Sequence, residues 1–222
     1  MSQLTLTQLV RRVDFSLLHP GIIVRDLEAH CALAREHQIA AVNVQSAWVE
    51  HARHFLEGSE VKVAVAIGFP LGGMDPDTKR YETEVAVDNG AQEIDVVPNF
   101  GRLRSGDSQF VLRELRDVAE AADERPVKVI VDLGLLTEAE LALACQIILD
   151  SGAHSLAVCG KIPPVEVLKV LRQGMGNSFG LQAWGITDYS AGAVALEAGA
   201  SRLGTTDLTG LLQSGDMTAM GA

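Results

Sequence analysis

Cysteine is scarce and poorly placed for cross-linking: the 222 residues contain only Cys31, Cys145 and Cys159, with no CxxC pair. An odd count without close pairs argues against a disulfide framework. A reducing compartment, and hence a cytoplasmic location, is expected. Basic charge is also in deficit, with 18 Lys and Arg against 29 Asp and Glu and a net charge of −11. That balance argues against nonspecific binding to nucleic acid or to an anionic membrane surface. It leaves room for a local positive patch that would hold a phosphorylated small molecule. No apolar run approaches the roughly 20 residues of a membrane-spanning helix. The opening MSQLTLTQLVRRVDF has no apolar stretch of the kind a secretory signal carries. The seven prolines are spread out, and neither a linker nor a glycine-rich dinucleotide fingerprint interrupts the chain.

What is present is the composition of a folded globule, 47% hydrophobic and 21% charged. Short valine-rich segments alternate with amphipathic stretches. Eight strands are expected, over residues 13–18, 40–44, 61–67, 93–97, 127–132, 155–159, 179–184 and 201–205. Their nearly continuous apolar character suits parallel strands covered by helices. Helices are expected over 25–37, 46–56, 77–89, 108–122, 138–150, 164–173 and 190–198. Thr137 and Glu140 have capping-box spacing, and Pro164 suits an early helical position. Asn89-Gly90, Ser151-Gly152 and Gly199-Ala200 read as helix stops. Eight such units predict an α/β fold of the (β/α)₈ TIM-barrel kind, with a doubly wound open sheet as the competing arrangement. One barrel domain is expected over residues 1–214, with a loose tail over 215–222.

In a parallel barrel, polar side chains at the C-terminal strand ends are the functional candidates. Alternation puts Lys128, Ile130 and Asp132 on one face and Val127, Val129 and Val131 on the other. The valines belong under the helices, so the lysine face points into the barrel. Glu93, Asp95 and Val97 likewise share a face. Aspartate is a poor strand former and is rarely buried without a partner; Lys128 on the adjoining strand is the natural one. Such a pair serves either proton transfer, because burial and opposite charge tune both groups, or the structure alone. Asn43 and Gln45 share a face and suit hydroxyl binding. Asp14 opens the first strand, with Ser16 and Leu18 on its side, and His19 lies just beyond. Lys161 follows Cys159 past a strand end. It is either a solvated amine or a rim group whose stem reaches the barrel mouth. Trp184 walls a pocket or packs in the core, and Thr205 and Thr206 offer short polar groups at the last strand.

The phrases DFSLLHP, VAIGFPLGG, NGAQEIDVVPNFGRLRSGD, VKVIVDLGLLTEAE and EAGASRLGTT together resemble the deoxyribose-phosphate aldolase family, from about Val13 to Thr206. The resemblance implies a (β/α)₈ barrel that joins or cleaves acetaldehyde and glyceraldehyde 3-phosphate through a lysine Schiff base, with no metal or other cofactor and with pairing into a homodimer. It implies that Asp95 is the proton-relay aspartate and Lys128 the lysine that perturbs the nucleophile. Asp132 falls where glutamate is usual, and Asp14 matches the polar residue of the first strand. Ser16, His19, Asn43 and Gln45 stand for threonine, lysine, cysteine and asparagine.

Three motifs depart from the family pattern. The Schiff-base motif, VKTSTGF-like in the family, reads LAVCGKI here, which places Ala157 at the nucleophile's position and Lys161 at a glycine. The KASGGIRD-like motif reads LQAWGITD. Gln182, or Leu181 in an ungapped match, takes the second lysine's place, and Trp184 and Gly185 replace a glycine pair. The phosphate loop GTSSG reads GTTDL, which brings in Asp207. Three expectations follow. One is a diverged aldolase-like lyase or carbon–carbon bond-forming enzyme acting on a small carbonyl substrate, with Lys161 as a relocated nucleophile. Another is a noncovalent acid–base enzyme, for cyclisation, dehydration or isomerisation, that uses Asp95 and Lys128 on a nonphosphorylated, more apolar substrate. The last is a noncatalytic ligand-binding protein. The acid–base reading requires that Asp95 and Lys128 meet at the floor of an open pocket.

Overall fold

The computed structural model describes residues 4–220. Eight strands, β1 (Val13–Leu17), β2 (Ala41–Gln45), β3 (Lys62–Ile67), β4 (Glu93–Val96), β5 (Val127–Asp132), β6 (Ser155–Cys159), β7 (Gly180–Trp184) and β8 (Arg202–Thr205), pair in parallel in chain order. β8 closes on β1, so the sheet is a barrel and the open-sheet alternative is excluded.

The helices are α1 (Leu6–Val10), α2 (Val24–Glu36), α3 (Val49–Phe55), α4 (Pro76–Asp88), α5 (Phe100–Arg104), α6 (Ser108–Ala121), α7 (Glu138–Asp150), α8 (Val165–Met175), α9 (Tyr189–Glu197) and α10 (Leu208–Met220). Thr137 and Glu140 form the expected capping box of α7. Pro164 is the N-cap of α8, one position before the helix itself. The expected helix over 46–56 begins as a 3₁₀ turn at Ser46–Trp48 before α3. The backbone of the expected tail is helical as far as Met220; residues 221–222 lie outside the described residues. No helix among the described residues is long and apolar enough to cross a membrane.

The two faces of the sheet divide the chemistry. The outer face packs valine, leucine and isoleucine under the helices, with Val42, Val44, Val63, Val65, Val129, Val131 and Leu156 fully buried. Each such side chain contributes about 1.5–3 kcal/mol of transfer free energy. The inner face is polar in its lower layer. Register aligns Asp14 with Ala41 and Gly204, Asp95 with Ala66 and Lys128, and Gln182 with Ala157 and Arg202. Small residues at Ala41, Ala66, Ala157 and Gly204 thus alternate with long ones, so the barrel interior has room for charged side chains.

Candidate active site

Lys128 occupies the centre of the barrel. Its Nζ donates to Asp14 Oδ2 at 2.8 Å and to Asp95 Oδ2 at 3.0 Å. The three residues retain 5% or less of their exposure. Charges buried this deeply persist only when paired and hydrogen-bonded, and the surroundings supply those partners. Asp14 also accepts from Gln182 Nε2 at 2.6 Å and from Arg202 Nε at 2.9 Å, with a further contact to Arg202 Nη2. Arg202 in turn reaches Glu93 Oε2 at 3.0 Å. Asp95 accepts from Asn43 Nδ2 at 2.5 Å. Lys128 Nζ lies 3.0 Å from Asp95 Oδ1 as well, but its hydrogen bond is directed to Oδ2. Asp95 Oδ1 and Asn43 Oδ1 are left buried without a hydrogen-bond partner.

This unequal supply of partners separates the two aspartates. Burial pushes Asp14 up, but the cations of Lys128 and Arg202 outweigh it and hold its carboxyl below the usual range. For Asp95, burial prevails over the single cation, and the charges of Asp14 and Glu93 add to it; its pKa is pushed up to about 6. Lys128 is disfavoured as a cation by burial, yet the surrounding carboxylates raise it above the ordinary lysine value. It is therefore a fixed positive charge rather than a neutral amine. Asp95 is the group poised to exchange a proton near neutrality.

Above this floor opens a cavity of about 250 Å³ at the C-terminal end of the strands, where barrel active sites are built. Asp95, Asn43, Gln182 and Ser16 bring polar groups to it, and Phe69, Phe100, Ile130, Ala157 and Trp184 supply apolar wall. Asp132 and Cys159 also line it. Asp132 Oδ1 accepts from the amide of Gly134 at 2.7 Å. It lies so close to the backbone of Gly160 (φ +87°) that a Cβ there would stand 1.9 Å from Oδ1. Burial, helped by Asp132, pushes the Cys159 thiol up to about 12, so it is not a thiolate. A larger apolar groove of about 530 Å³ lies outside the barrel, along α7 and α8, away from these charges.

The structure brings together Asp14, Asn43, Asp95, Lys128, Asp132, Gln182 and Trp184 from the expected set. The others lie elsewhere. Lys161 is exposed on the loop after β6, and the lining of the cavity passes from Gly160 without including it. His19 is exposed, and its Nδ1 accepts from the amide of Gly21 at 3.1 Å. Gln45 donates to Leu18 O at 3.1 Å, tying its loop instead of facing the cavity. Thr205 aligns with Phe15 on the other parity, and its Oγ1 accepts from Asp207 N at 3.0 Å. Thr206 is exposed. Arg202, the second cation beneath the floor, was not expected from the sequence. Its signal was a lone arginine sharing the inward parity of Gly204 in an otherwise apolar strand.

The sequence model of the DeoC/LacD family aldolases matches residues 6–144. The chain is 38% identical to deoxyribose-phosphate aldolase 1 of Bacillus licheniformis over 205 residues, covering 90% of this chain and 92% of that protein. It is 36% identical to the deoxyribose-phosphate aldolase of Bdellovibrio bacteriovorus over 215 residues, covering 95% of this chain and 98% of that one. Among solved structures, a putative deoxyribose-phosphate aldolase from Coccidioides immitis superposes with a TM-score of 0.89 at 26% identity, covering 94% of this chain and 85% of the other.

Proposed function

Because the chain belongs to the DeoC/LacD family of aldolases, we propose that it makes or breaks a carbon–carbon bond beside a carbonyl group by proton transfer at Asp95, with no imine formed on the chain. The observation that carries this reading is the Asp95 carboxyl. It lies on the cavity floor, is pushed up to about 6, and has one oxygen without a hydrogen-bond partner.

In the cleavage direction, the Asp95 carboxylate takes the proton of a substrate hydroxyl. The O–H electron pair becomes the new carbonyl, and the pair of the breaking C–C bond passes to the enolate. The Asp95 carboxylic acid returns the same proton to the enolate carbon. Synthesis runs these steps in reverse, so a single group serves as base and then acid. The ammonium of Lys128 stays charged beneath the floor and favours the anionic intermediate electrostatically. An imine needs a neutral amine in the cavity. Ala157 presents a methyl group there, Lys128 is committed to two carboxylates, and Lys161 is exposed on the rim. The enolate is common to isomerisation and dehydration, and the apolar wall of Phe69, Phe100, Ile130 and Trp184 suits those outcomes on a less polar carbonyl compound.

The test is aldol cleavage and α-hydrogen exchange across small hydroxy-aldehydes, with and without borohydride. Turnover is expected to survive borohydride and the replacement Lys161→Ala, and to fall by about 10²-fold or more in Asp95→Asn. A borohydride-stable mass gain on Lys161 would overturn the reading.

A further inference from the structure

Barrel enzymes commonly bind a phosphate at the loops after the seventh and eighth strands, where backbone amides and a helix N-terminus converge. In this chain several amides of that region are already engaged from within. The amides of Gly185 and Ile186 both donate to Gly204 O, at 2.9 and 3.0 Å. Asp207 N donates to Thr205 Oγ1, and Tyr189 N to Ser214 Oγ. The first turns of both following helices are capped by carboxylates of the chain. Asp188 Oδ1 accepts from Ala191 N at 2.9 Å on α9, and Asp207 Oδ1 accepts from Gly210 N at 2.9 Å on α10. The positive helix ends thus face two fixed negative charges.

Trp184 stands between β8 and the cavity lining. Its ring lies against the backbone of Gly204, 2.2 Å from where a Cβ would stand, and the residue also lines the cavity. The cavity itself carries the carboxylates of Asp95 and Asp132 and, among the described residues, no Lys, Arg or His in its lining. The Lys128 ammonium beneath the floor is already committed to Asp14 and Asp95, so a dianion in the cavity meets the two lining carboxylates first, and in a partly buried site that repulsion is weakly screened. What the cavity does offer are acceptors in search of donors. Asn43 Oδ1 is buried without a hydrogen-bond partner, and Asp95 Oδ1 has the Lys128 ammonium 3.0 Å away but no directed hydrogen bond; buried acceptors are costly to leave unmet.

We propose that the site takes an uncharged, phosphate-free hydroxy-carbonyl compound, whose hydroxyl hydrogens meet Asn43 and Asp95 and whose apolar part lies against Trp184. The curated relatives above, by contrast, carry names that specify a sugar phosphate. This proposal rests on the aldol reading for the carbonyl group, but the discrimination against phosphate is a matter of binding alone.

The experiment is therefore a binding measurement on the whole protein with ligands that differ only in the phosphate: glyceraldehyde against glyceraldehyde 3-phosphate, and inorganic phosphate as a competitor. Glyceraldehyde is expected to bind roughly tenfold or more tightly than its phosphate, and inorganic phosphate not to displace it. In Asp207→Asn, which retains a good helix cap, the gap is expected to narrow. Equal or tighter binding of the phosphorylated member, or displacement by inorganic phosphate, would overturn the proposal. Retained turnover in Asp95→Asn would instead defeat the catalytic reading and leave the binding preference standing, so the two failures are told apart.

Discussion

Asp14 and Asp95 accept hydrogen bonds from the same ammonium, Lys128 Nζ, at 2.8 and 3.0 Å. Asp14 adds Gln182 and Arg202, while Asp95 adds Asn43. The poorer supply of donors to Asp95 makes it the member that titrates near neutrality.

The first consequence concerns rate. With Asp95 as base, kcat/KM should rise with pH through about 6 and level off above it. Removing the negative charge of Asp14, one cause of the upward shift, should move that limb to lower pH in Asp14→Asn. The pH profile of both proteins is the measurement. A limb that stays in place or moves upward would show that another group controls the rate.

Stability should show the same group with a defined sign. Asp95 has a folded pKa of about 6 against an ordinary 3.8, so the folded state holds its proton more tightly than the unfolded chain. Below about pH 4 both states are protonated and there is no penalty. As pH rises from about 4 to about 6 the wild type loses stability, on the order of 3 kcal/mol, and the loss is constant above that range. Asp14 acts in the opposite sense, with a lowered pKa whose contribution is lost as pH falls, but it is present in both members of the comparison. Urea unfolding of wild type and Asp95→Asn at pH 4 and pH 7 isolates the effect. The variant should gain relative to the wild type at the higher pH, and no change in the difference would refute the assignment.

Ala157 aligns with Ile130 and Gln182 and lines the cavity. Ala157→Lys therefore places an amine on the wall of the cavity that Asp95 also lines. Treatment with glycolaldehyde and borohydride should add mass to the variant and not to the wild type. Overpacking should cost about 1–3 kcal/mol. Labelling of the wild type to the same extent would mean that an amine already reaches the aldehyde.

A second buried ion pair supports the cavity wall from outside the barrel. Lys79 Nζ donates to Glu114 Oε1 and to Val97 O, both at 2.7 Å, and Glu114 Oε2 accepts from Asn99 N. The pair pins the loop that carries Val97 and Phe100 to the cavity. Lys79→Met leaves a buried carboxylate unpaired and should cost about 3–5 kcal/mol, whereas Lys79→Met with Glu114→Leu should recover much of it. Unfolding free energies of the two variants decide this; equal losses would mean that the pair does not act as a unit.

The barrel was legible because parallel strands covered by helices read as short valine-rich runs, and all eight appear where those runs lie. The Asp95–Lys128 contact was legible because neighbouring strands place inward residues side by side, as the register confirms. Asp14 as the second partner of Lys128 was not. It lies across the barrel on β1, and alternation along a strand says nothing of what faces it across the interior. α1 and α5, of five residues each, are too short to show a period. Lys161 illustrates the same limit at a loop, where no repeat tells which way a side chain turns.

The floor of the cavity joins the first strand of the barrel to the last. Asp14 meets Lys128, Gln182 and Arg202 across 114, 168 and 188 residues of sequence. On the ribosome, this charge cluster stays hydrated and incomplete until the eighth strand has emerged. Contacts of such range form slowly, and the ring of strands that encloses the ions is complete only when β8 pairs with β1. A nascent chain short of Arg202 lacks one of the two cations that hold Asp14, however much of its helical shell has already formed.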